Sequence, residues 1–557
     1  MNKFIHIFIF FLVFSANHSN AQNLIINEIV ASSTNNPIDS YGDYSDWIEI
    51  HNPGNSNIDL EGYHLSDNPE NPLKWSFPSV SIPSGGYLIV FASERNTIGN
   101  ELHANFKIAT EGEKISLFSP NGNLVDEIDS IPLRTNISYG RYIGGETGFR
   151  YFSTPTPGAE NSTPFFMGFL TDAEISHPSG YYTQSISVTA QHSSNEAIIH
   201  YTIDGSEPTE QSPIFPEAMN FNDASTQPNS ISLIPTNPSF NYPMPGFDES
   251  RGNSRGWLPP YNNVNKINVL KVKAFRDGLI PSETTTNTYL INPEAEERYS
   301  LPVISLTTDP GNFFDNESGI YVYGTVGELG NYSEEGDEWE RPIHLQYFEK
   351  DGNIGFEQDF GVRIHGAGGR HSAIKNLRIY ARSEYGDNKL EYKFFENDDN
   401  NDFKRFMIRG PGHTPGCGPR DDFADLLLQN QNMDIQHVQH VILFVNGEYW
   451  GIHAIKERFD QDYLELKYGK KDDDYVILRN SGVLDSGEEG DQIPYTNLLS
   501  FVTENNMTLP ENYDYVKTQV DMDNYLSYYT SEVFFGNVDW IESNIKFWRY
   551  KGLDKNN

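Results

Sequence analysis

Phe535-Gly536-Asn537-Val538-Asp539-Trp540-Ile541-Glu542-Ser543-Asn544 runs close to the end of the 557-residue chain. Just before it, Tyr525, Leu526, Tyr529 and Val533 recur at one-face spacing after Asp521 and Asp523, two favourable N-cap residues, so a helix is expected there. Gly536 ends that helix, because glycine accepts the left-handed backbone of a helix C-terminus at little cost. A short loop comes next, carrying Asp539 and, five residues on, Asn544. Two such side chains in one loop can reach a single phosphate from opposite sides, or they can cap turns. Their surroundings decide between the two.

The composition favours β-rich domains. Aromatic residues make up 13% of the chain, its apolar runs are short and punctuated by Gly, Pro and Asn, and its length suits roughly three or four domains. A net charge of −39 argues against nucleic acid or anionic lipid as a partner of the whole chain, and solubility accounts for most of it. At the N-terminus, Lys3, an apolar run from Phe4 to Phe14 and Ser19-Asn20-Ala21 form the pattern of a signal peptide over residues 1–21. That run is too short to span a bilayer, and no later stretch is apolar enough, so no transmembrane helix is expected. The mature chain is expected to begin at Gln22 and to be secreted or held at the cell surface. A single cysteine, Cys417, excludes an intrachain disulfide framework.

Residues 22–162 read as an all-β, immunoglobulin-like sandwich, with strands at Leu24–Val30, Trp47–Ile50, Tyr87–Val90 and Lys114–Leu117. Ile26-Asn27-Glu28-Ile29, Asp46-Trp47-Ile48-Glu49-Ile50, Leu60-Glu61-Gly62-Tyr63-His64-Leu65-Ser66-Asp67 and Pro155-Thr156-Pro157-Gly158-Ala159-Glu160-Asn161 closely resemble the lamin-tail domain family. The resemblance implies scaffolding or attachment, to a cell surface or polysaccharide, without chemistry. Asp43, Asp46 and Glu49 suit either calcium or a solvated strand edge.

A second β-sandwich is expected over 165–293. Ile199-His200-Tyr201-Thr202-Ile203-Asp204-Gly205 is a strand entering a tight turn, and strands at 270–276 and 287–291 close the unit. Its motif resembles the small sandwich appended to chitobiases, the FN3-associated type. An irregular Pro/Asn/Ser-rich insertion is expected at about 211–262, where Tyr242, Trp257 and Tyr261 either anchor the loop or stack on sugar rings. Both N-terminal domains are expected to fold independently of the third, with joints near 162 and 294.

From Leu301 the character changes. Gly361-Val362-Arg363-Ile364-His365-Gly366-Ala367-Gly368-Gly369-Arg370 is a strand entering a glycine-rich turn, and Lys375–Arg382 alternates as a half-buried strand. Residues 363–393 hold seven Lys or Arg against three acids, a basic island that suits an anionic ligand. A helix opens at Arg420–Leu428, and Val438–Glu457 reads as a hairpin turning at Asn446-Gly447. The order is glycine turn, lysine strand, helix, hairpin, helix, Asp-x4-Asn loop, which is the order in which protein kinases build a nucleotide cleft.

His365-Gly366 with Arg370, Lys375 through Arg378, Arg420-Asp421, Asn446-Gly447-Glu448-Tyr449-Trp450-Gly451-Ile452 with Glu457, and Asn537-Val538-Asp539-Trp540 with Asn544 resemble the CotH, or spore coat protein H, family of atypical kinases. The resemblance covers 301–557 and implies an α+β kinase-like domain using ATP and Mg2+ to phosphorylate Ser or Thr hydroxyls of a protein substrate. By that resemblance Asp539 is the catalytic base and Asn544 a metal ligand. Lys375 and Arg378, with Gly368, Gly369 and Arg370 in the turn, hold phosphates. Glu457 and Arg458, running into Phe459, lie beside the adenine; the acidic partner of Lys375 is left open between Asp421 and Asp425, of which Asp421 also suits a helix cap. The family pattern continues into a Trp-Asp-x-Asp element that does not occur before Asn557, so an incomplete C-terminal lobe and little transfer are expected of this chain. A competing reading is an extracellular adhesin or scaffold whose kinase-like domain only binds. A third, a carbohydrate-active accessory protein, rests on the middle domain alone, and no paired-carboxylate motif points to a glycosidase. His365, His371 and His413 form no zinc spacing.

Overall fold

The computed structural model describes residues 24–552 except 35–36, 143–147, 163, 239–256, 295–297, 367, 397, 399, 411–419, 539 and 541–542. The signal peptide, Tyr242, His413, Cys417 and Asp539 therefore lie outside the described residues. The chain forms two compact units, one reaching to Phe169 with Asp277–Ile280, the other made of the remainder.

In the first unit, Ile25–Val30, Asp46–His51 and Tyr87–Ala92 sit side by side in a seven-stranded sheet, and Leu124–Ile128, Ile115–Phe118, His64–Ser66 and Trp75–Ser76 form a second sheet of four strands. Ile26, Ile48, Ile50 and Val90 from one sheet share a core with Leu65, Trp75, Ile115 and Leu117 from the other, the packing of a β-sandwich. Phe165–Phe166 adds an edge strand to the larger sheet. The Pro155–Asn161 motif is held by buried acids. Glu49 accepts from Asn27 Nδ2 at 2.7 Å and from the Gly158 N–H, and Glu28 accepts from Ser138 Oγ and the Thr156 N–H. Burial pushes the Glu49 carboxyl up to about 7. The three acids suggested for calcium face three different partners, for Asp46 accepts the Ser32 and Ile108 N–H groups while Asp43 pairs with Arg95.

The second unit contains the middle domain, whose central sheet runs Gly180–Tyr182, Thr285–Ile291, Asn268–Phe275, Ile198–Thr202. The described part of the insertion, expected to be irregular, contains regular elements. Met219–Phe221 pairs with Ile186–Val188, and a single helical turn at Ile231–Leu233 places Ile231 in the core of the next domain. The middle domain is also packed against the domain that follows it, which bears on the expectation that it folds independently. Ile267 and Leu290 cluster with Val303, Phe348 and Phe444, and the buried Gln346 side chain donates to the Thr286 carbonyl at 3.1 Å. Separating the two would expose that apolar cluster and leave the Gln346 amide without this acceptor.

Seven strands of the second unit close into a barrel. They are β1 (Val303–Thr307), β2 (Arg341–Phe348), β3 (Ile354–His365), β4 (Asn376–Tyr380), β5 (Arg405–Arg409), β6 (Val438–Val445) and β7 (Glu448–Lys456). Their order is β1-β2-β3-β4-β5-β7-β6, closed by a parallel pairing of β1 with β6. The β6–β7 hairpin turns at Asn446-Gly447, both at positive φ (44° and 83°), as an Asn-Gly turn requires. Helix α1 (Arg420–Leu428) lies between β5 and β6, and α2 (Gln461–Tyr468) follows β7. Then come β8 (Tyr475–Arg479), β9 (Val483–Ser486), three helices, α3 (Ile493–Glu504), α4 (Pro510–Gln519) and α5 (Met522–Phe535), and β10 (Lys546–Tyr550), which pairs with β8. Helices are thus concentrated at the C-terminal end of a strand-rich chain.

Candidate functional site

Strand alternation sorts the barrel residues into two faces. Val362, Ile364, Leu377, Ile379, Phe406, Ile408 and Ile455 fill the interior. The residues between them face outward, and the register lines up Arg363, Arg378, Met407 and Lys456 across β3, β4, β5 and β7. One strip of the barrel wall therefore carries three cations and a methionine in a row.

Lys456 ends the row, its side chain fully buried. Its ammonium lies 2.8 Å from Asp422 and 3.0 Å from Asp425, which stand three residues apart on α1 and so share a helix face. Asp422 also accepts from His440 Nε2 at 2.9 Å. Burial pushes the Asp422 carboxyl up, but the bonds from His440 and Lys456 outweigh it and hold it at about 2. Burial raises Asp425, with Lys456 opposing. At the end of β5, Arg409 pairs with Asp421.

Beside the row lies a knot of positive charge. Arg378 donates to His365 Nδ1 at 2.5 Å, so the imidazole accepts in its neutral form. Burial, then the charges of Arg378, Arg458, Arg370 and Lys546, push His365 down to about 3. The Nε of Arg378 is buried with no hydrogen-bond partner. Lys546, two residues past Asn544, donates to the Phe459 carbonyl at 2.9 Å and ties the end of the Asp-x4-Asn loop to the segment after β7. Converging guanidinium groups with an orphan donor fit the phosphates of a nucleotide. For magnesium, the described residues supply the amide of Asn544, exposed on the loop and at φ 57°.

Several expected site residues face elsewhere. Lys375 is completely buried, its ammonium on Asn237 Oδ1 and the Ser372 carbonyl (2.9 Å) and 3.9 Å above the Tyr332 ring. Burial drives its pKa well below the ordinary lysine value. Neither Asp421 nor Asp425 partners it, because the outward residue their helix covers is on β5 or β7 rather than before β4. Gly368 and Gly369 belong to a short helical turn with Arg370, which bonds back to the Gly366 and Ser333 carbonyls and to Glu335. The Glu457 carboxylate accepts both the backbone and the ring nitrogen of His437 at 2.9 Å, and its carbonyl accepts Gln436, so it braces the entry to β6. Arg458 does join the cationic knot, opposed by Asp460. Trp540 packs on Tyr528 and Tyr529 of α5, folding the loop back onto its helix. Lys456 and Asp422 were missed. Their signal was available: a lysine closing an alternating strand, and acids three apart on the helix before it.

Comparison with known families gives three matches in the order read from the sequence. Residues 17–131 match the Lamin Tail Domain, residues 177–237 the Chitobiase/beta-hexosaminidase C-terminal domain, and residues 362–556 the CotH kinase protein family. No curated protein matches the chain. The kinase match begins within β3, so β1 and β2 lie ahead of it.

Proposed function

From a CotH kinase family domain at residues 362–556, carried behind lamin-tail and chitobiase-type domains, we propose that the chain is a secreted kinase transferring the γ-phosphoryl group of ATP to Ser or Thr hydroxyls of a protein substrate. The family implies nucleotide and metal use in general. The observation that carries the reading is Lys456 held between Asp422 and Asp425 at the end of a row of outward cations. An acid-braced lysine beside arginines is what the phosphates of a nucleotide need.

In this assignment Arg378 and Arg458 hold phosphate oxygens, and Lys456 adds a fixed positive charge. Asp539 accepts the proton of the acceptor hydroxyl, and Asn544 faces the metal from the same loop. Magnesium, when bound there, neutralises charge on the phosphates. Lys375 shapes the turn from inside instead of touching the ligand. Export rests on the Lys3–Ala21 pattern, and no helix among the described residues is long and apolar enough to cross a membrane. A non-catalytic binding module is the second reading, favoured by the capping of Lys375 by Asn237.

The test is ATP binding by the full chain and by Arg378→Ala. Losing a charge-assisted phosphate contact should weaken binding roughly tenfold with the near-ultraviolet circular dichroism unchanged. Asp539→Asn should leave binding intact and abolish whatever radiolabel transfer from ATP the parent chain shows. Unchanged ATP affinity in a folded Arg378→Ala protein would remove the nucleotide site from this face.

A further inference from the structure

We infer that residues 229–237 of the middle domain are a clamp on the arginine-bearing turn of the kinase domain, and that Asn237 is a positioning residue for its anion site. The inference rests on the nucleotide reading above and adds to it a second domain's contribution to the same site.

The clamp is built from both ends. Asn229 Oδ1 accepts from Lys266 Nζ at 2.9 Å and from the Val264 N–H at 2.8 Å. The Ser230 and Ser232 N–H groups then donate to the two carboxylate oxygens of Glu448, at 2.6 and 2.8 Å, on the first residue of β7. Between them Ile231 enters the barrel core, and Ile234 packs against it. The segment is thus anchored in the barrel before it reaches the turn.

There it grips 371–375 at three points. Thr236 Oγ1 donates to the Ala373 carbonyl at 2.8 Å, Asn237 Nδ2 donates to the His371 carbonyl, and Asn237 Oδ1 accepts from Lys375 Nζ. The stretch so held lies between Arg370 and Arg378, two of the cations that surround His365. Among the described residues no carboxylate pairs with Lys375, whose other acceptor is the Ser372 carbonyl. A buried ammonium is tolerated only while its hydrogen bonds are made. If Asn237 is lost, the segment must shift to bring Lys375 to water, and Arg370 and Arg378 shift with it.

The experiment compares the full chain with Asn237→Ala and Asn237→Asp, using hydrogen–deuterium exchange over 366–378 and binding of a fluorescent ATP analogue. Asn237→Ala should raise exchange in that stretch and weaken the analogue roughly tenfold. Asn237→Asp keeps the acceptor for Lys375 but sets a carboxylate oxygen against the His371 carbonyl, so it should recover the analogue's affinity in part while exchange near His371 stays raised. Unchanged exchange in Asn237→Ala overturns the clamp, and raised exchange with unchanged affinity overturns the positioning role. Should Asn237→Ala fail to fold, Thr236→Val, lacking only the bond to Ala373, should shift both readouts the same way by less, and no shift rejects the proposal. A parent chain that binds no analogue counts against the kinase reading, and exchange alone then decides the clamp.

Discussion

The barrel and the helices α3 to α5 are built on opposite terms. Phe360, Phe406, Ile379 and Leu345 come from four strands and are wholly enclosed together. The last helix is well started and stopped, since Asp521 caps α5 by accepting the Asn524 N–H at 2.9 Å and Gly536 closes it at φ 62°, and Pro510 opens α4 at its first residue. Yet none of the three buries a residue, and Leu499, Val502, Tyr525, Leu526 and Val533 stand exposed. Side-chain contacts there are made at the surface, as in the Phe501–Tyr515 ring pair at 4.3 Å and the Asn524 bond to the Asn432 carbonyl at 2.8 Å. Good caps make a helix of this length marginal at best, whereas an enclosed core supplies most of the stability. The cation row stands on the barrel and the segment carrying Asn544 follows α5, so the two halves of the proposed site rest on scaffolds of different firmness.

Three measurements sharpen or break that contrast. The largest effect should come from Phe360→Ala, which empties a fully enclosed site beside Phe406 and should cost about 4 kcal/mol in urea unfolding. A cost below about 1 kcal/mol would mean that the barrel is less tightly filled than its burial shows.

The next concerns pH and should also be confined to the barrel. His344 on β2 lies 2.7 Å from Asp359 and 3.5 Å from Glu357. Burial lowers its pKa, but the hydrogen bonds it donates to those carboxylates more than reverse this and raise it to about 9. A histidine raised above its unfolded value stabilises fully below about pH 6.5 and loses that contribution as the pH climbs through 9. Because the carboxylates are 40% and 58% exposed, solvent screening leaves about 1 kcal/mol between pH 6 and 10. His344→Gln should flatten that slope; a slope equal to the parent's would assign it to other groups. Residues 493–535 contain no histidine, so exchange in α3 to α5 should not follow this titration.

The smallest effect is expected from Leu526→Ala, about 0.5 kcal/mol or less, since the side chain is 53% exposed. A cost near that of Phe360→Ala would show that α5 is covered by something in solution and would erase the contrast.

Much of this was legible in residues that act locally. Asn446-Gly447 announces the β6–β7 hairpin because both positions need positive φ. Gly536 marks the end of α5, and the alternation of Arg378 with Leu377 and Ile379 places one outward and two inward. The order of short motifs sufficed for three domain families. The choice of lysine was legible only in part. Lys375 and Lys456 both border alternating strands; the acids three apart on α1 were the one local hint toward Lys456, and nothing near Lys375 shows that it will be sealed by Asn237, which lies 138 positions before it.

The sequence by itself thus determined the elements, their caps and turns, and the order of the domains, because each depends on side chains within a few positions of one another. Tertiary structure alone decided that β1 closes the barrel against β6, that the middle domain shares a core with it, and that the cations meet at His365. Those outcomes depend on register between strands up to about a hundred and forty residues apart. A one-residue slip in register would turn every outward arginine into the core, and only the packed interior forbids it.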